Sequence, residues 1–488
     1  MRAVRVAEQF TSRWGMILAV MGIAVGTGNI WRFPRIAAAN GGGSFLIPWV
    51  FFLFMWSIPL IMAEFAIGKK TRYGTVGSFV IMMGKKYAWM GAFVGFVATA
   101  IMFYYSVVAG WCIRYLLLAA SGQLLGLEDH QAAFEAFAAS GWQPILFHVV
   151  AASAAALVIL RGVVNGIEKV NRFLVPALLL LIVVSAIRAV TLPGASAGLA
   201  FLFTPDLGAL LDYRVWLQAL TQNAWDTGAG WGLILTYAVY MRRREDVALN
   251  AALVGLGNNS VSLLAAILVF CTVFATIPEQ AAQVIQQAGP ANTGLTFIWI
   301  PQLFGQMAGG AFFTAFFFLA LSFAALSSLI SMFELTTRVL IDLGLVRRTA
   351  LTMVYGAVVV MGLPSALSVD FFLNQDWVWG MALMLSGAFV ALAVIKHGAD
   401  RFRRQEINAQ SSDIRVGRWY NLIIQYAIPA QVIILIVWWF SQVILGDPTG
   451  WWNPLSKESV GTCLLQWIVI LALLLGANRF LAERTVRQ

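Results

Sequence analysis

The sequence predicts an all-α membrane protein with twelve transmembrane helices. Of its 488 residues, 60% are apolar and only 11% are charged, against about 25% charged residues in ordinary soluble domains. An α-helical span needs roughly 20 apolar residues, so twelve spans account for about half of the chain. The composition therefore excludes a soluble enzyme and a nucleic-acid-binding protein, and it makes the lipid bilayer the expected environment.

Apolar segments of spanning length recur twelve times along the chain. They lie at about 14–36, 45–68, 90–120, 144–161, 170–190, 215–241, 247–276, 308–336, 350–368, 377–396, 419–446 and 458–478. We number them spans 1 to 12 in this order.

The basic residues support this count. If the spans alternate from a cytoplasmic N-terminus, 25 of the 32 Lys and Arg residues fall on the cytoplasmic side. The outer segments 121–143 and 277–307 contain neither Lys nor Arg. This is the distribution that the positive-inside rule requires. The distribution predicts a multi-pass protein with both termini cytoplasmic. It also explains the net charge of +10 without a nucleic-acid partner. Together with the compact loops, it favours a bacterial inner (plasma) membrane.

Two spans are interrupted in the middle. Span 1 contains Gly26-Thr27-Gly28, and span 6 contains Asp226 beside a second Thr-Gly pair. A glycine costs a helix roughly 1 kcal/mol, and a carboxylate at the centre of a bilayer costs several. Such sequences are typical of backbone that unwinds against a cavity and directs helix ends at ions or ligands. Gly22, with Gly26, also forms a small-residue helix-packing motif, and for Gly22 alone this alternative is equally good.

The two interruptions occupy corresponding places in two five-helix halves. Because five is an odd number, the second half is inverted in the membrane relative to the first. The sequence thus predicts an inverted five-helix repeat with broken helices 1 and 6, plus helices 11 and 12, and a binding site near the midplane. We expect the first repeat at 1–190, the second at 191–400, and helices 11 and 12 with the C-terminal tail at 401–488. No phosphate-binding Gly-x-x-x-x-Gly-Lys-Ser/Thr loop is present, which excludes an ATP-driven pump of that kind.

The motif at 24–34, AVGTGNIWRFP, resembles the neurotransmitter:sodium symporter family, in particular its bacterial leucine-transporter branch. The glycines at 41–43, the tyrosines at 104–105, Asn258 and the serines at 327–328 extend the resemblance. It implies a transporter without catalytic residues that imports a small neutral amino acid by alternating access, coupled to sodium ions.

The resemblance implies two sodium sites. The first would use the carbonyl of Ala24, the side chains of Asn29 and Asn258, and the position of Asp226. The second would use the carbonyls of Gly22, Val25 and Ala324 and the hydroxyls of Ser327 and Ser328. Sodium is a hard cation that prefers oxygen ligands, and these groups offer oxygens. For the two serines alone, hydroxyls that bond back to their own helix are the alternative.

The resemblance also implies a substrate site at the interruptions. Backbone amides of 26–28 and the Tyr105 hydroxyl would bind a carboxylate, which suits a helix N-terminus. Carbonyls of Ala24 and Trp225 with the Ser328 hydroxyl would bind an amine. The full predicted set is Ala24, Gly26, Thr27, Gly28, Ile101, Tyr105, Trp225, Asp226, Gly228, Trp231, Ser328 and Met332.

Four residues are expected to form gates by the same resemblance. Arg32 and Asp376 would close the outer vestibule as a water-bridged ion pair, and Asp342 would anchor the inner gate. Arg5 is the nearest candidate partner for Asp342, because the family's own arginine position is not basic here. Glu64, inside span 2, would accept hydrogen bonds from the unwound backbone of span 6, since an intramembrane carboxylate needs such partners.

The anion requirement is where this chain departs from the family pattern. By the resemblance, chloride-independent bacterial members have a fixed Glu in span 7, where this chain has Ser262, and this serine alone would argue for chloride dependence. Gln222 matches a chloride ligand of the family, whereas Trp49 stands where the family has a Tyr ligand. We expect the Asp226 carboxylate to replace chloride, because two neighbouring anions repel strongly at low dielectric. The sequence leaves open an amine, betaine or taurine-like substrate, and a non-transporting sensor or passive channel on the same scaffold.

Overall fold

The computed structural model describes residues 8–287, 289, 292–409 and 412–486, and these form an all-α fold, as predicted. Among them, nine helices are long and apolar enough to cross a membrane, or up to eleven if each of two bent helix pairs counts as one span. The twelfth is span 6, in which residues 227–232 separate two shorter helices.

The continuous spans are span 2 (Gly43–Thr71), span 3 (Lys85–Ala120), span 4 (Trp142–Leu160), span 5 (Val163–Val190), span 7 (Val247–Thr276), span 8 (Gly310–Asp342), span 9 (Arg347–Leu367), span 10 (Val369–His397) and span 11 (Trp419–Gly446). The interrupted ones are span 1 (Arg13–Ala24 and Thr27–Ala39, bent by 50°), span 6 (Tyr213–Asp226 and Leu233–Ala238) and span 12 (Val460–Gly476 with Asn478–Thr485, bent by 55°). Short helices between spans are Thr75–Met83, His130–Ala139, Ala195–Phe203, Ala281–Gln286 and Ile300–Gly305.

The largest boundary error concerns span 10. The apolar pattern predicts it at 377–396, but it begins at Val369, where the Ser368 hydroxyl caps the helix by accepting the Phe371 amide. Its first two turns contain polar residues, Asp376 among them, which conceal the start of the helix from an apolar pattern. Polar side chains on a membrane helix are placed where the helix faces a cavity rather than lipid.

The break in span 6 is built from three glycines. Gly228, Gly230 and Gly232 have φ angles of 67°, 85° and 79°, a left-handed region in which residues with a Cβ are strained. A Cβ on Gly230 would also lie 2.7 Å from the Cα of Gly387 in span 10. The break therefore needs glycine both for its backbone angles and for close packing.

The interrupted helices lie among spans that are deeply buried. Span 3 is 78% buried in the most apolar part of its length, whereas span 11 is 28% buried. Span 3 packs against spans 4, 8 and 10, and the first half of span 1 packs against spans 5, 7 and 8. The breaks in spans 1 and 6 thus lie inside the bundle, and span 11 forms part of its lipid-facing edge.

Candidate functional site

A cavity of about 400 Å³ lies at the level of the two helix breaks. Residues of spans 1, 3, 6, 8 and 10 line it. All positions predicted for the substrate line this one cavity: Ala24, Gly26, Thr27, Gly28, Ile101, Tyr105, Trp225, Asp226, Gly228, Trp231, Ser328 and Met332.

One end of the cavity faces the start of the second half of span 1. The helix begins at Thr27, so the amides of its first turn have no acceptor within the helix. The Thr27 amide lies 3.4 Å and its hydroxyl 3.2 Å from the Tyr105 hydroxyl. A Cβ on Gly26 would approach the Ser328 hydroxyl to 3.1 Å, so a side chain there would have to push that hydroxyl aside. This end of the cavity suits a small anionic group.

The Asp226 carboxylate lies at the other helix break. Its Oδ2 accepts a 2.9 Å hydrogen bond from the Ser262 hydroxyl, whereas its buried Oδ1 has no hydrogen-bond partner in the described part of the chain. A Cβ on Gly28 would lie 3.5 Å from that Oδ1. A buried and unpaired carboxylate oxygen is costly, so this atom suits a cation or a cationic group.

The groups of the first predicted sodium site lie together. The Asn258 side-chain oxygen is 2.9 Å from the Ala24 carbonyl oxygen and 3.3 Å from that of Asp226. Turning this amide over converts both contacts into hydrogen bonds from its nitrogen, so the contacts place the three groups together, and the ligand role of the Asn258 oxygen stays a prediction. The Asn29 oxygen accepts the Gly26 amide at 2.8 Å and its nitrogen faces Asn258. The predicted ligand role of Asn29 therefore requires its amide to turn over.

The groups of the second predicted site also lie together. The Ser328 hydroxyl donates toward the Gly22 carbonyl at 3.3 Å, and a Cβ on Gly22 would lie 3.1 Å from the Cβ of Ser327. Ser327 itself bonds back to the Ala324 carbonyl at 3.0 Å, which is the alternative considered above. Val25 is fully buried at the break. The last carbonyls of the first half of span 1 lack intrahelical partners and are thus available to a cation.

The outer gate residues line the same cavity without touching. Within the described residues Arg32 and Asp376 form no direct ion pair, so their water-bridged pairing stays a prediction. The Arg32 guanidinium instead lies 4.3 Å above the indole of Trp225, at the distance of a cation–π contact. A Cβ on Gly380 of span 10 would overlap the six-membered ring of that indole. Trp225 is thus in contact with both an arginine of span 1 and a glycine of span 10.

At the inner end, Asp342 has partners other than the one expected. Its carboxylate binds Arg338, one turn earlier in span 8, at 2.8 Å, and accepts the Gly74 amide at 2.6 Å. Arg5 lies outside the described residues. Asp342 thus joins span 8 to the segment after span 2, and the pairing with the N-terminal segment stays a prediction.

Sequence reasoning missed a buried ion pair near the inner end. The fully buried Glu334 carboxylate binds Arg347 at 2.5 and 3.1 Å and accepts the Tyr240 hydroxyl at 2.6 Å. Tyr240 in turn accepts the Phe10 amide through its carbonyl at 3.1 Å. The available signal was an acidic residue within an apolar span, which by itself indicates a buried partner.

The predicted role of Glu64 is confirmed. This fully buried carboxylate of span 2 accepts the amides of Gly230 and Gly232 at 3.2 and 2.5 Å. Those amides belong to the unwound segment of span 6, which lacks helical acceptors for them. Glu64 therefore holds the break in span 6 in place.

Comparison with known proteins supports a single family. The family model of the sodium:neurotransmitter symporter family matches residues 7–125 and 121–482. An uncharacterized sodium-dependent transporter from Methanocaldococcus jannaschii is 31% identical over 440 residues, covering 85% of this chain and 87% of the relative. Another from Bacillus subtilis is 29% identical over 449 residues, covering 88% and 97%. The crystal structure of MhsT in complex with L-phenylalanine superposes with a TM-score of 0.77 at 30% identity, covering 88% of this chain and 99% of MhsT.

These matches cover most of the chain, including the spans that contain the two helix breaks and line the central cavity. The protein is a multi-pass membrane protein and a transporter rather than an enzyme, and its relatives are sodium-dependent. The chain belongs to the sodium:neurotransmitter symporter family, and it is a sodium-dependent symporter.

Proposed function

We propose that the protein imports a small neutral amino acid across a bacterial inner membrane, with both termini in the cytoplasm, by sodium-coupled alternating access. One observation carries this proposal: a single cavity is lined both by the first residues of the helix that follows the break of span 1 and by the break of span 6 with its carboxylate. The similarity to MhsT, solved in complex with L-phenylalanine, supports an amino acid as the substrate.

The two ends of the cavity match the two ends of an amino acid. The amides of 26–28 and the Tyr105 hydroxyl would hold the carboxylate, because they form the positive end of a helix. The carbonyls of Ala24 and Trp225 and the Ser328 hydroxyl would hold the ammonium group. The substrate side chain would then point toward Ile101, Gly228, Trp231 and Met332.

Sodium ions enter this scheme as co-transported substrates. The first ion would bind among Ala24, Asn258 and Asp226, next to the substrate carboxylate, so that ion and substrate stabilise each other's binding. The second would bind between the first half of span 1 and span 8. Both ions would thereby hold the broken helices against the rest of the bundle.

Alternating access would use the internal repeat. We propose that the repeats 1–190 and 191–400 move about the central site while 401–488 flanks them. Arg32 and Asp376 would close the outer side over Trp225, and Asp342 would help to close the inner side.

We further propose that transport is independent of chloride. Ser262 stands where chloride-independent relatives have a fixed Glu, and the Asp226 carboxylate, which accepts the Ser262 hydroxyl at 2.9 Å, would supply the negative charge in place of that Glu. A chloride ion about 4 Å from this carboxylate would be opposed by roughly 4 kcal/mol at an effective dielectric constant of 20. That is a penalty of about a thousandfold in affinity.

A thermal-shift screen of the purified protein tests the substrate. Melting is measured with each of the twenty amino acids, taurine and betaine, in sodium and in choline buffer, because a ligand that binds the folded state raises the melting temperature. We expect one or a few neutral amino acids to stabilise the protein only with sodium. Stabilisation by betaine, taurine or an amine alone would replace the amino acid by an osmolyte or amine, and sodium-independent stabilisation would contradict coupling.

Uptake into proteoliposomes then separates transport from sensing and tests the anion. With a sodium gradient, the ligand found above should accumulate equally in chloride and in gluconate. Asp226→Ser, which replaces the carboxylate by a neutral hydroxyl, should make uptake depend on chloride, whereas Thr191→Ser at an exposed loop position should change nothing. Chloride-stimulated uptake by the unmodified protein would refute the role of Asp226, and binding without uptake would indicate a sensor.

A further inference from the structure

A buried amide in span 5 has an oxygen without a donor. Asn171 is fully buried, and its nitrogen donates to the Ile167 carbonyl one turn earlier at 3.0 Å. Its Oδ1 has no hydrogen-bond partner within the described residues. Buried polar atoms are nearly always paired in folded proteins, so an unpaired one calls for an explanation such as an ion.

The position of this oxygen connects it to the second predicted sodium site. A Cβ on Gly22 would lie 2.5 Å from the Asn171 oxygen and 3.1 Å from the Cβ of Ser327. The oxygen therefore lies where spans 1, 5 and 8 meet, beside the glycine whose carbonyl faces Ser328. Gly22 has no side chain here, and any larger residue would displace the amide.

The two serine hydroxyls at this junction donate elsewhere. The Ser327 hydroxyl donates to Ala324, and the Ser328 hydroxyl points at the carbonyls of Gly22 and Ile23. These two carbonyls belong to the C-terminal end of the half-helix Arg13–Ala24, and the Asn171 oxygen lies beside Gly22. That end carries a partial negative charge, so the cluster favours a cation.

The acidic residue one turn before Asn171 is engaged elsewhere. Glu168 accepts the Thr11 amide and hydroxyl at 2.8 and 2.6 Å and binds Arg172 at 2.6 Å. It also packs against Gly15, on the same face of span 1 as Gly22. Its charge is therefore balanced by Arg172.

We propose that Asn171 is a further oxygen donor to the second sodium ion, acting directly or through one water, beside Gly22, Val25, Ala324, Ser327 and Ser328. This inference rests on the proposed function, because it assumes that an ion binds between spans 1 and 8. Its consequence is that ion binding ties span 5 to the other two spans, and that ion release frees it.

The test is the sodium concentration that gives half of the maximal thermal stabilisation, measured on the purified full-length protein with choline as the balancing cation. Asn171→Leu retains the volume but removes the oxygen, and we expect it to raise this midpoint at least tenfold. Asn171→Asp retains an oxygen and adds charge, and we expect it to lower the midpoint. Thr272→Val is the matched control, because Thr272 has another buried and unpaired oxygen, and it should leave the midpoint unchanged.

Each outcome has a distinct meaning. An unchanged midpoint in Asn171→Leu, or in Asn171→Asp should the leucine variant not fold, overturns the role of Asn171. Ser327→Ala then separates the role of Asn171 from the existence of the second sodium site. If it raises the midpoint while Asn171→Leu does not, the second ion site stands and only the inference fails. If neither variant changes it, the proposed second site itself is wrong.

Discussion

The hold of Glu64 on span 6 leads to a quantitative prediction for Glu64→Gln. The carboxylate accepts two amides, from Gly230 and Gly232. A buried backbone amide that loses its acceptor costs about 1–3 kcal/mol. Glutamine offers one oxygen, so at least one bond is lost and an NH₂ group is turned toward a backbone N–H. The unwound segment should therefore lose about 3 kcal/mol of local stability, or more where the unpaired amide stays buried.

Hydrogen–deuterium exchange measures this loss directly, because amides exchange through local opening. A loss of 3 kcal/mol corresponds to a factor of about 150 in the opening equilibrium. Peptides that cover 227–235 should exchange about a hundredfold faster in Glu64→Gln, in the same buffer and at the same temperature. Peptides from the middle of span 7 provide the internal control and should not change.

A well-folded variant whose 227–235 peptides exchange less than threefold faster would refute this reasoning. In that case the break would be held by its glycine backbone and packing alone. Faster exchange throughout the protein would indicate general destabilisation rather than a local role of the carboxylate.

Two further predictions concern the outer and the cytoplasmic sides. Gly380→Ala places a Cβ against the indole of Trp225. We expect it to lower, at least tenfold, the apparent ligand affinity measured by sodium-dependent thermal stabilisation, whereas Gly356→Ala, where a Cβ would meet nothing within 4 Å, should leave that affinity unchanged. Equal affinities of the two variants would contradict the packing argument. At the cytoplasmic end of span 10, the Arg404 guanidinium lowers the pKa of the exposed Asp400 carboxyl below its ordinary value of 3.8. A lowered pKa contributes stability above the ordinary value and loses it as the pH falls. Asp400→Asn should therefore lower the melting temperature at pH 7, where the pairing contributes its stability, and flatten the fall of the melting temperature below about pH 4; an unchanged acid slope would argue against the pairing.

The sequence could predict those parts of the site that depend on local backbone conformation and local polarity. Glycines close to Thr27 and Asp226 indicate unwound helices, and the carboxylate of Glu64 within a span indicates that hydrogen-bond donors lie near it. These signals are local and place the site at the two helix breaks, whereas the individual cavity residues were implied by the resemblance to the symporter family. The boundaries of span 10 could not, because Asp376 and its polar neighbours face the interior and imitate a loop.

The parts that sequence could not predict depend on partners far apart in the chain. Nothing local indicates that Glu334 meets Arg347, or that the Asn171 oxygen points at Gly22. Such pairings follow from how the spans pack, and a single sequence does not show which residues of distant helices lie opposite each other. Orientation is hidden for the same reason, as Asn29 shows by presenting its nitrogen where an oxygen was expected.

The interruption of span 6 also bears on how the protein enters the membrane during synthesis. Its two helices of 14 and 6 residues are about 21 and 9 Å long, so neither crosses a hydrocarbon core of about 30 Å. The segment also carries Asp226, which insertion opposes by about 2.5–3.5 kcal/mol at the centre of a span. Span 6 is thus a weak insertion signal, and its entry into the bilayer would depend on the more apolar spans 5 and 7 on either side. The same break that forms the site for ions and substrate therefore makes the insertion and orientation of this span depend on its neighbours.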